Sequence, residues 1–419
     1  MRLRKGIAVA AAAAMTVGLA ACSSGGDTAS DGRVSITWDM WAGSDSDIAA
    51  AESLRDIAQA QNPDIEVKLQ TSPWSDYFTK LTTNLAAGKT ACVTSMNGQR
   101  LSGYASAFSE LTADDLKTAG IDADAYGDAA LSVMKIGGKQ LGIPYDIASM
   151  LVYYNADLFT EAGVELPTND WTFDDFEAAA EAITANTDKY GFAVSPAEFQ
   201  WASLPISMSG VQMVNDDGEL DLTNPAFVKA ASWYSGLVTD KKVAAAVPSA
   251  SDGGWGENEY AAGNVGMAVD GTWNASSYLA NEAGFTAGAV RLPIGDGGPL
   301  SLVLGSGYGI SANCENREEA LKVLGSLVSK EAQDSIAASG RSYPALAESR
   351  DLYFESLPAE LAGPIAETFD ASFVGGVGQN TTSNWTQVSE TFPQQLVSVF
   401  NGQSTMSDAL GLLQSQFAK

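Results

Sequence analysis

The side chains that could do chemistry in this sequence are carboxylates, amides and indole rings, because it contains nine Trp and no His. Without His there is no Ser/His/Asp or Cys/His nucleophile, no usual zinc site and no base that titrates near neutral pH. Paired carboxylates could still do acid–base chemistry, but no motif singles out two of the 51 acidic residues. The inventory favours noncovalent recognition over catalysis.

Three segments look like cofactor or metal motifs and fail on spacing. Gly88-Lys89-Thr90 ends like a phosphate-binding loop, but Thr83 stands where the first Gly belongs. The Gly-rich run 305–309 lacks the G-x-G-x-x-G spacing. The acidic run 215–219 lacks the remaining ligands of a calcium loop and predicts a surface hairpin turn. We therefore expect no cofactor and no metal site.

Length and charge set the broad class. A chain of 419 residues that is 45% hydrophobic can build two cores, and no uninterrupted apolar run of 18 follows the N-terminal segment. Residues 22–419 carry 20 basic and 51 acidic side chains, a net charge of −31, which repels nucleic acid and anionic lipid. We expect a soluble, two-lobed body, a monomer, with no nucleic-acid partner.

The first residues predict export and lipidation. Arg2, Arg4 and Lys5 precede an apolar run over 7–21 that is too short to form a stable span. The run ends in Leu-Ala-Ala-Cys at 19–22, which resembles a bacterial lipobox. We expect a signal peptide at 1–21, lipidation of Cys22, and a flexible tether over 22–32 that is rich in Ser and Gly.

The two remaining cysteines, Cys92 and Cys314, lie 222 positions apart and would need a long-range contact to pair. Disulfides persist outside the cytoplasm, but this spacing leaves open whether the two meet. Two separately buried free thiols are the simpler interpretation.

Alternating strand and helix patterns indicate an α/β fold. Residues 34–38 alternate as a strand, Ser46 is predicted to cap the next helix, and Asn62-Pro63 should end it before a second strand at 65–69. A strand at 92–96, a capping box at 172–175, a helix capped by Asn316 and a helix from Met406 follow. Strand, helix, strand predicts a parallel sheet.

A longer motif resembles a known family. Residues 138–146 read Gly-Lys-Gln-Leu-Gly-Ile-Pro-Tyr-Asp, and 151–159 read Leu-Val-Tyr-Tyr-Asn-Ala-Asp-Leu-Phe ahead of Ala162-Gly163. Their order and spacing resemble the central signature of the extracellular solute-binding protein family 1, which includes maltose- and oligosaccharide-binding proteins of bacterial ABC importers. Segments 171–176, 262–273 and 307–311 resemble later parts of the pattern, whereas 91–93 and Asn264 depart from it.

The resemblance implies a type II-like, two-lobed α/β fold that closes by a hinge around a ligand in the cleft between the lobes. It implies lobe 1 at 33–145 plus about 304–345, and lobe 2 at 146–303 plus about 346–419. It also implies an extracytoplasmic component of an ABC importer, not an enzyme, that captures a carbohydrate, and specifically an oligosaccharide, for the membrane subunits.

Sugar hydroxyls need acid, amide or guanidinium partners, and sugar C–H faces pack on aromatic rings. The resemblance places ligand contacts at Trp41, Asp45, Asp146, Trp273 and Trp385. Further candidates at the ends of predicted elements are Asn97, Arg100, Glu198, Trp201 and Tyr308. We expect core positions for Trp38, Trp171 and Trp233, while Trp74 fits either role.

Two alternatives remain open at this stage. The same fold could bind a polyamine or another small solute, since acidic clefts suit cations. A secreted glycosidase would need a protonated carboxylic acid facing a second carboxylate.

Overall fold

The computed structural model describes residues 31–252, 254–280 and 282–418. The predicted signal peptide at 1–21, the lipidation site Cys22 and residues 22–30 of the predicted tether lie outside the described residues. In the described ranges, no helix combines the length and the apolar character needed to cross a bilayer.

The chain opens with three elements in the predicted order: β1 (Val34–Trp41), α1 (Asp45–Gln61) and β2 (Ile65–Ser72). The two strands are parallel, as the β-α-β pattern predicts. The predicted cap was wrong by two residues, because Ser44 rather than Ser46 accepts the Asp47 N–H at the start of α1.

The remaining strands are β3 (Val93–Asn97), β4 (Lys135–Ile136), β5 (Lys139–Gln140), β6 (Ile143–Asn155), β7 (Tyr190–Ala193), β8 (Val265–Gly271), β9 (Ala287–Arg291), β10 (Ser301–Ile310) and β11 (Gly376–Gly378). The remaining helices are α2 (Trp74–Ala86), α3 (Leu101–Tyr104), α4 (Ala113–Ala119), α5 (Gly127–Ser132), α6 (Ala156–Ala162), α7 (Phe173–Asn186), α8 (Glu198–Ser209), α9 (Pro225–Thr239), α10 (Trp255–Ala261), α11 (Ala275–Leu279), α12 (Arg317–Leu327), α13 (Lys330–Ala338), α14 (Arg350–Glu355), α15 (Ala359–Phe373), α16 (Trp385–Phe400) and α17 (Met406–Phe417).

Two sheets share the long strand β6 and define two lobes. The main strand order is β2-β1-β3-β10-β6-β8-β7, with β9 also on β6 and β11 on β10. The first part of β6 pairs with β10 beside β3, in the sheet that we call lobe 1. From Met150 onward, β6 pairs with β8 and β9, in the sheet that we call lobe 2. The fold is therefore α/β and two-lobed, as predicted.

Three segments pass between the lobes. Strands β6 and β10 run antiparallel from one sheet into the other. The third segment leaves α13, and hydrogen bonds tie it to β6: the Ile147 N–H donates to the Tyr343 carbonyl and the Ala345 N–H to the Tyr145 carbonyl. It then enters α14 and α15, and α15 packs on β9. A hinge between the lobes must bend these three segments together.

Two apolar clusters fill the fold. The first packs Ile36, Trp38 and Val93 of the lobe 1 sheet with helices α1, α12 and α13, and it continues through β6 to one face of lobe 2. In lobe 2, a second cluster joins β7 and β8 to α7, α8, α9, α16 and α17, and it contains Phe176 and Phe192. Trp38 and Trp171 are buried as expected, whereas Trp233 is only partly buried and its indole N–H donates to Glu177.

Two sequence-based interpretations need correction. Cys92 and Cys314 are joined in a disulfide, with their Cα atoms 4.8 Å apart, so they are not free thiols. The spacing could not reveal this, because the antiparallel pairing of β3 with β10 brings the two residues together. Asn316 occupies the predicted N-terminal position of α12 but makes no side-chain capping hydrogen bond there. The capping box at Thr172 and Asp175 is confirmed.

Candidate functional site

The carboxyl end of β3 aligns several candidate residues across the sheet. Asn97 pairs with Ser306 of β10, and Ser306 pairs with Asp146 of β6. The Asp146 Oδ1 atom accepts the Ser306 N–H at 2.6 Å. Because ligands in open α/β sheets bind outside the carboxyl ends of strands, this row lies where the fold would place a site.

Asp146 is a buried acid whose pKa is raised above the usual value of an Asp side chain. The residue is 8% exposed, and desolvation by burial raises its pKa to about 7. The Ser306 N–H, the Ser342 side chain and the charge of Arg341 oppose that rise. Near neutral pH this group can therefore donate or accept a hydrogen bond.

Trp41 lies in a cluster of rings at the end of β1. Its ring centroid is 5.1 Å from that of Trp74, 5.2 Å from Tyr77 and 6.4 Å from Tyr145. Trp74 is among the exposed large side chains of the protein, so this cluster presents an aromatic surface. Tyr145 precedes Asp146, which places the rings beside the row formed by Asn97, Ser306 and Asp146.

Arg341 holds the end of β1 in position. One of its guanidinium nitrogens donates to the Trp41 carbonyl oxygen at 3.1 Å, and another pairs with Asp47 of α1. Asp45, which we predicted as a ligand contact, is the exposed first residue of α1. Arg341 therefore connects the third interlobe segment to the strand that bears Trp41.

A chain of three candidate residues connects the lobes. The Arg100 Nη2 atom of lobe 1 lies 3.2 Å from Oε2 of Glu198, the first residue of α8 in lobe 2. The other Glu198 oxygen accepts the indole N–H of Trp385, at the start of α16. The Arg100 and Glu198 side chains are only 10% and 7% exposed. The sequence nominated all three residues, but only the structure shows that they contact one another.

Polar atoms without partners gather on the segment after β3. Within the described chain, Asn97 Oδ1, Gln99 Oε1 and the Nε and Nη1 atoms of Arg100 are buried and have no hydrogen-bond partner. The Arg100 guanidinium also lies 4.8 Å from the Phe78 ring centroid and 5.2 Å from that of Trp74. Buried polar groups are nearly always paired in proteins, so these atoms lack partners that the donors and acceptors of a bound molecule could supply.

Trp273 is partly buried at the end of β8, in a short turn over Thr272–Asn274. Its ring folds back over the strand end, where a Cβ on Gly271 would lie 2.2 Å from it. The Phe199 ring of α8 lies 6.1 Å away, centroid to centroid. Glycine at 271 is therefore required for Trp273 to take this position.

Two cavities lie where the lobes face each other. One, of about 450 Å³, is lined by Gln99, Ser102 and Lys135 of lobe 1 and by Asp216, Gln379 and Asn380 of lobe 2. The other, of about 410 Å³, lies between Phe78 and Tyr104 on one side and Thr386 and Glu390 on the other. Neither is lined by Trp41, Asp146 or Trp273, whereas Gln99, which lines the first cavity, carries one of the unpaired atoms.

Three of the candidates are fully buried. Trp385 is 1% exposed and packs on Phe392, but its indole N–H also reaches Glu198. Trp201 has no exposed surface and packs on Phe227 and Phe392. Tyr308 is likewise inaccessible and stacks on Tyr145 at 4.7 Å. We therefore assign Trp201 and Tyr308 to packing beneath the cleft instead of to its surface.

The structure also identifies residues that the sequence did not nominate. Arg341 lies outside every motif, and its role depends on contacts across the fold. Phe78 was not nominated; it follows Trp74, which the sequence left between core and site, at the i, i+4 spacing of one helix face, and this spacing could have suggested a shared surface. Among the described residues there is no group of three His, Cys, Asp or Glu side chains that could hold a metal ion.

Two lobes, three connecting segments and a polar, aromatic site between them define the class of extracytoplasmic solute-binding proteins. Residues 45–334 match the sequence profile of the bacterial extracellular solute-binding proteins. The chain belongs to that family.

Individual relatives agree with this assignment. The chain is 24% identical over 366 residues to a putative binding protein of Brucella abortus, covering 84% of each chain. It is 25% identical over 207 residues to the arabinooligosaccharide-binding protein of Bacillus subtilis, covering 49% of this chain and 47% of that one. Its structure is similar, with a TM-score of 0.80, 25% identity and coverage of 92% and 98%, to an ABC substrate-binding protein of Listeria monocytogenes in complex with cycloalternan.

Proposed function

We propose that this protein is the substrate-binding component of an ABC importer and that it captures an oligosaccharide between its lobes. The observation that carries the proposal is the set of buried, unpaired polar atoms on Asn97, Gln99 and Arg100, next to the rings of Trp74 and Phe78. Hydroxyl groups both donate and accept hydrogen bonds, so one sugar unit can satisfy amide oxygens and guanidinium N–H groups together.

Charge favours a neutral ligand. Arg100 is already balanced by Glu198, and burial raises the pKa of Asp146, so neither side of the site offers an isolated charge. A polyamine would need unpaired carboxylates, and a phosphate ester would need a free guanidinium fork. Carbohydrate is also the ligand class named for the relatives that bind arabinooligosaccharide and cycloalternan.

The proposed ligand contacts combine two partly exposed rings with buried polar side chains that a ligand would reach when the lobes are open. We propose that Trp41, Trp273, Asp146, Asn97 and Arg100 contact the sugar, and that Glu198 and Trp385 do so through the edge of their interlobe contact. The aromatic cluster around Trp41 would stack on C–H faces. We also propose that Asp45 contacts the ligand. Its side chain is exposed at the start of α1, so only a long ligand would reach it.

Closure is the proposed signal to the importer. The lobes, at about 33–145 with 304–345 and 146–303 with 346–419, would rotate about β6, β10 and the segment after α13. The Arg100–Glu198 pair forms only when the lobes approach, and the closed surface would dock on the membrane subunits. No step requires catalysis, and the protein acts as a monomer.

We further propose that the protein works outside the cytoplasm on a lipid anchor. The Leu-Ala-Ala-Cys sequence at 19–22 supports cleavage before Cys22 and lipidation of its thiol. The Cys92–Cys314 disulfide supports an oxidising compartment, because disulfides are rare in the cytoplasm.

Titration calorimetry with purified protein tests the ligand class. Maltose, maltotriose, arabinotriose, cycloalternan and spermidine form the panel, and we expect at least one oligosaccharide to bind with a stoichiometry of one. Binding of spermidine and of no sugar would contradict the proposal. Steady release of sugar from nitrophenyl glycosides would instead support the glycosidase alternative.

A further inference from the structure

A buried carboxylate beneath Trp273 has no role in the site described so far. Asp270 lies at the end of β8 and is completely buried. Its Oδ1 atom accepts the Gln200 side-chain N–H at 3.0 Å and the Gly271 backbone N–H at 2.7 Å. Its Oδ2 atom accepts from Asn274 at 2.6 Å and from the Tyr278 hydroxyl at 2.7 Å.

These four donors come from separate elements of lobe 2: α8, the end of β8 with the turn after it, and α11. Gln200 lies two residues after Glu198, in the first turn of α8. Gly271 and Asn274 bracket the turn that carries Trp273. One carboxylate therefore joins the helix that presents Glu198 to the turn that presents Trp273.

We infer that Asp270 is a positioning residue of the ligand site, which fixes Trp273 and the start of α8 relative to each other without touching the ligand. The inference rests on the proposed function. Such support matters because a binding side chain that is displaced by even a fraction of an ångström loses its contact geometry.

A second, largely buried acid, Glu257, lies near Asp270. Burial raises the pKa of Glu257, on the adjacent α10, to about 8, and the nearby Asp270 carboxylate contributes to that rise. Burial likewise raises the pKa of Asp270, and its four hydrogen bonds reduce that rise without cancelling it. Glu257 Oε2 has no hydrogen-bond partner in the described chain. Three of the four groups that face Asp270 are N–H groups, which can only donate, so the Asp270 oxygens act as acceptors in this arrangement.

The groups that face this pair come from three further elements. The Tyr234 hydroxyl of α9 and the Tyr278 hydroxyl of α11 lie near Glu257, and the charge of an ionised Glu257 raises the pKa of both hydroxyls. The Ser195 side chain makes a hydrogen bond with Glu257. Glu257 is not among the four donors that hold Asp270 to the Trp273 turn and to α8, so it offers a matched control.

The test uses variants of the whole protein labelled with 5-fluorotryptophan. The Trp273 resonance is assigned from its loss in Trp273→Phe, and the buried Trp38 of lobe 1 serves as the internal reference. We expect Asp270→Ala to shift and broaden the Trp273 resonance, to leave that of Trp38 unchanged, and to raise the Kd for the sugar about tenfold.

Two further variants separate position from stability. Asp270→Asn keeps an oxygen for Gly271 and Gln200, so we expect it to restore the Trp273 resonance and a Kd within about threefold of the parent. Glu257→Gln should leave both the resonance and the Kd unchanged. If Asp270→Ala does not fold, Asn274→Ala removes one donor and should shift the same resonance by less.

An unchanged Trp273 resonance in Asp270→Ala, or in Asn274→Ala if it is needed, would overturn the inference. So would an unchanged Kd in a variant whose resonance has moved. If the resonance moves as expected but the parent protein binds no sugar of the panel, the positioning role stands and the proposed function fails.

Discussion

Replacing Glu198 with Ala should weaken sugar binding about 100-fold, because the contact with Arg100 across the lobes is lost. Glu198 and Arg100 are both nearly buried, and their closest atoms are 3.2 Å apart. Removing one partner of a buried ion pair costs roughly 3–5 kcal/mol, because the other charge stays desolvated. In Glu198→Ala, the Arg100 guanidinium would lose the only acceptor that it has among the described residues.

The penalty should fall on the closed conformation. Arg100 belongs to lobe 1 and Glu198 to lobe 2, so opening the lobes exposes Arg100 to water and removes the cost. Taking the lower value, about 3 kcal/mol corresponds to about 100-fold in affinity, since each factor of ten is about 1.4 kcal/mol. Within lobe 2, Glu198→Ala also leaves the buried Trp385 indole N–H without its acceptor, so the free energy of unfolding should fall by about 1–3 kcal/mol from that contact alone.

The assay is titration calorimetry with the sugar found in the panel, together with urea unfolding and small-angle X-ray scattering of the ligand-free protein. Arg100→Ala and the double variant Arg100→Ala/Glu198→Ala complete a cycle. We expect a larger radius of gyration for each variant and strongly non-additive losses of affinity. Additive losses, or an equal fall in affinity and in unfolding free energy with no change in the radius, would refute the interlobe role of the pair.

Three further predictions address other parts of the molecule. Cys92→Ser/Cys314→Ser should lower the free energy of urea unfolding by up to about 5 kcal/mol, from the chain entropy of a loop that spans 222 positions, and a change under about 1 kcal/mol would contradict a formed disulfide. Trp273→Ala should raise the Kd for the sugar about tenfold with little effect on thermal unfolding, and normal binding would remove Trp273 from the site. Because burial raises the pKa of Asp146 to about 7, its contribution to stability is full below about pH 3.8 and is lost as the pH rises through 7. Asp146→Asn should therefore be more stable than the parent at about pH 8, by up to about 4 kcal/mol, but not at about pH 3.5; equal unfolding curves at the higher pH would contradict this.

Local patterns predicted the local structure well. The alternation at 34–38 and the break at Asn62-Pro63 identified β1, α1 and β2, and the capping box at Thr172 identified the start of α7. The cap of α1 was misplaced because Ser44 and Ser46 both suit an N-terminus, and only the backbone geometry selects Ser44.

Contacts between distant segments were beyond the reach of sequence patterns. The pairing of β3 with β10 creates the disulfide, and the approach of α8 to Arg100 creates the interlobe ion pair. The family resemblance identified Asp146, Trp273 and Trp385 as candidate ligand contacts, but it did not predict which residues surround them. Tyr308 was nominated from its place in a Gly-rich strand, and its complete burial depends on Trp38 and Tyr145, which pack against its ring.

The most direct test of the account is calorimetric titration of the purified, ligand-free protein with a series of neutral oligosaccharides, run beside Arg100→Ala. The account predicts one site per chain for at least one oligosaccharide, with binding severely weakened in the variant because the unpaired guanidinium N–H groups are lost. Binding of spermidine and of no sugar, or sugar binding that is identical in the two proteins, would contradict it.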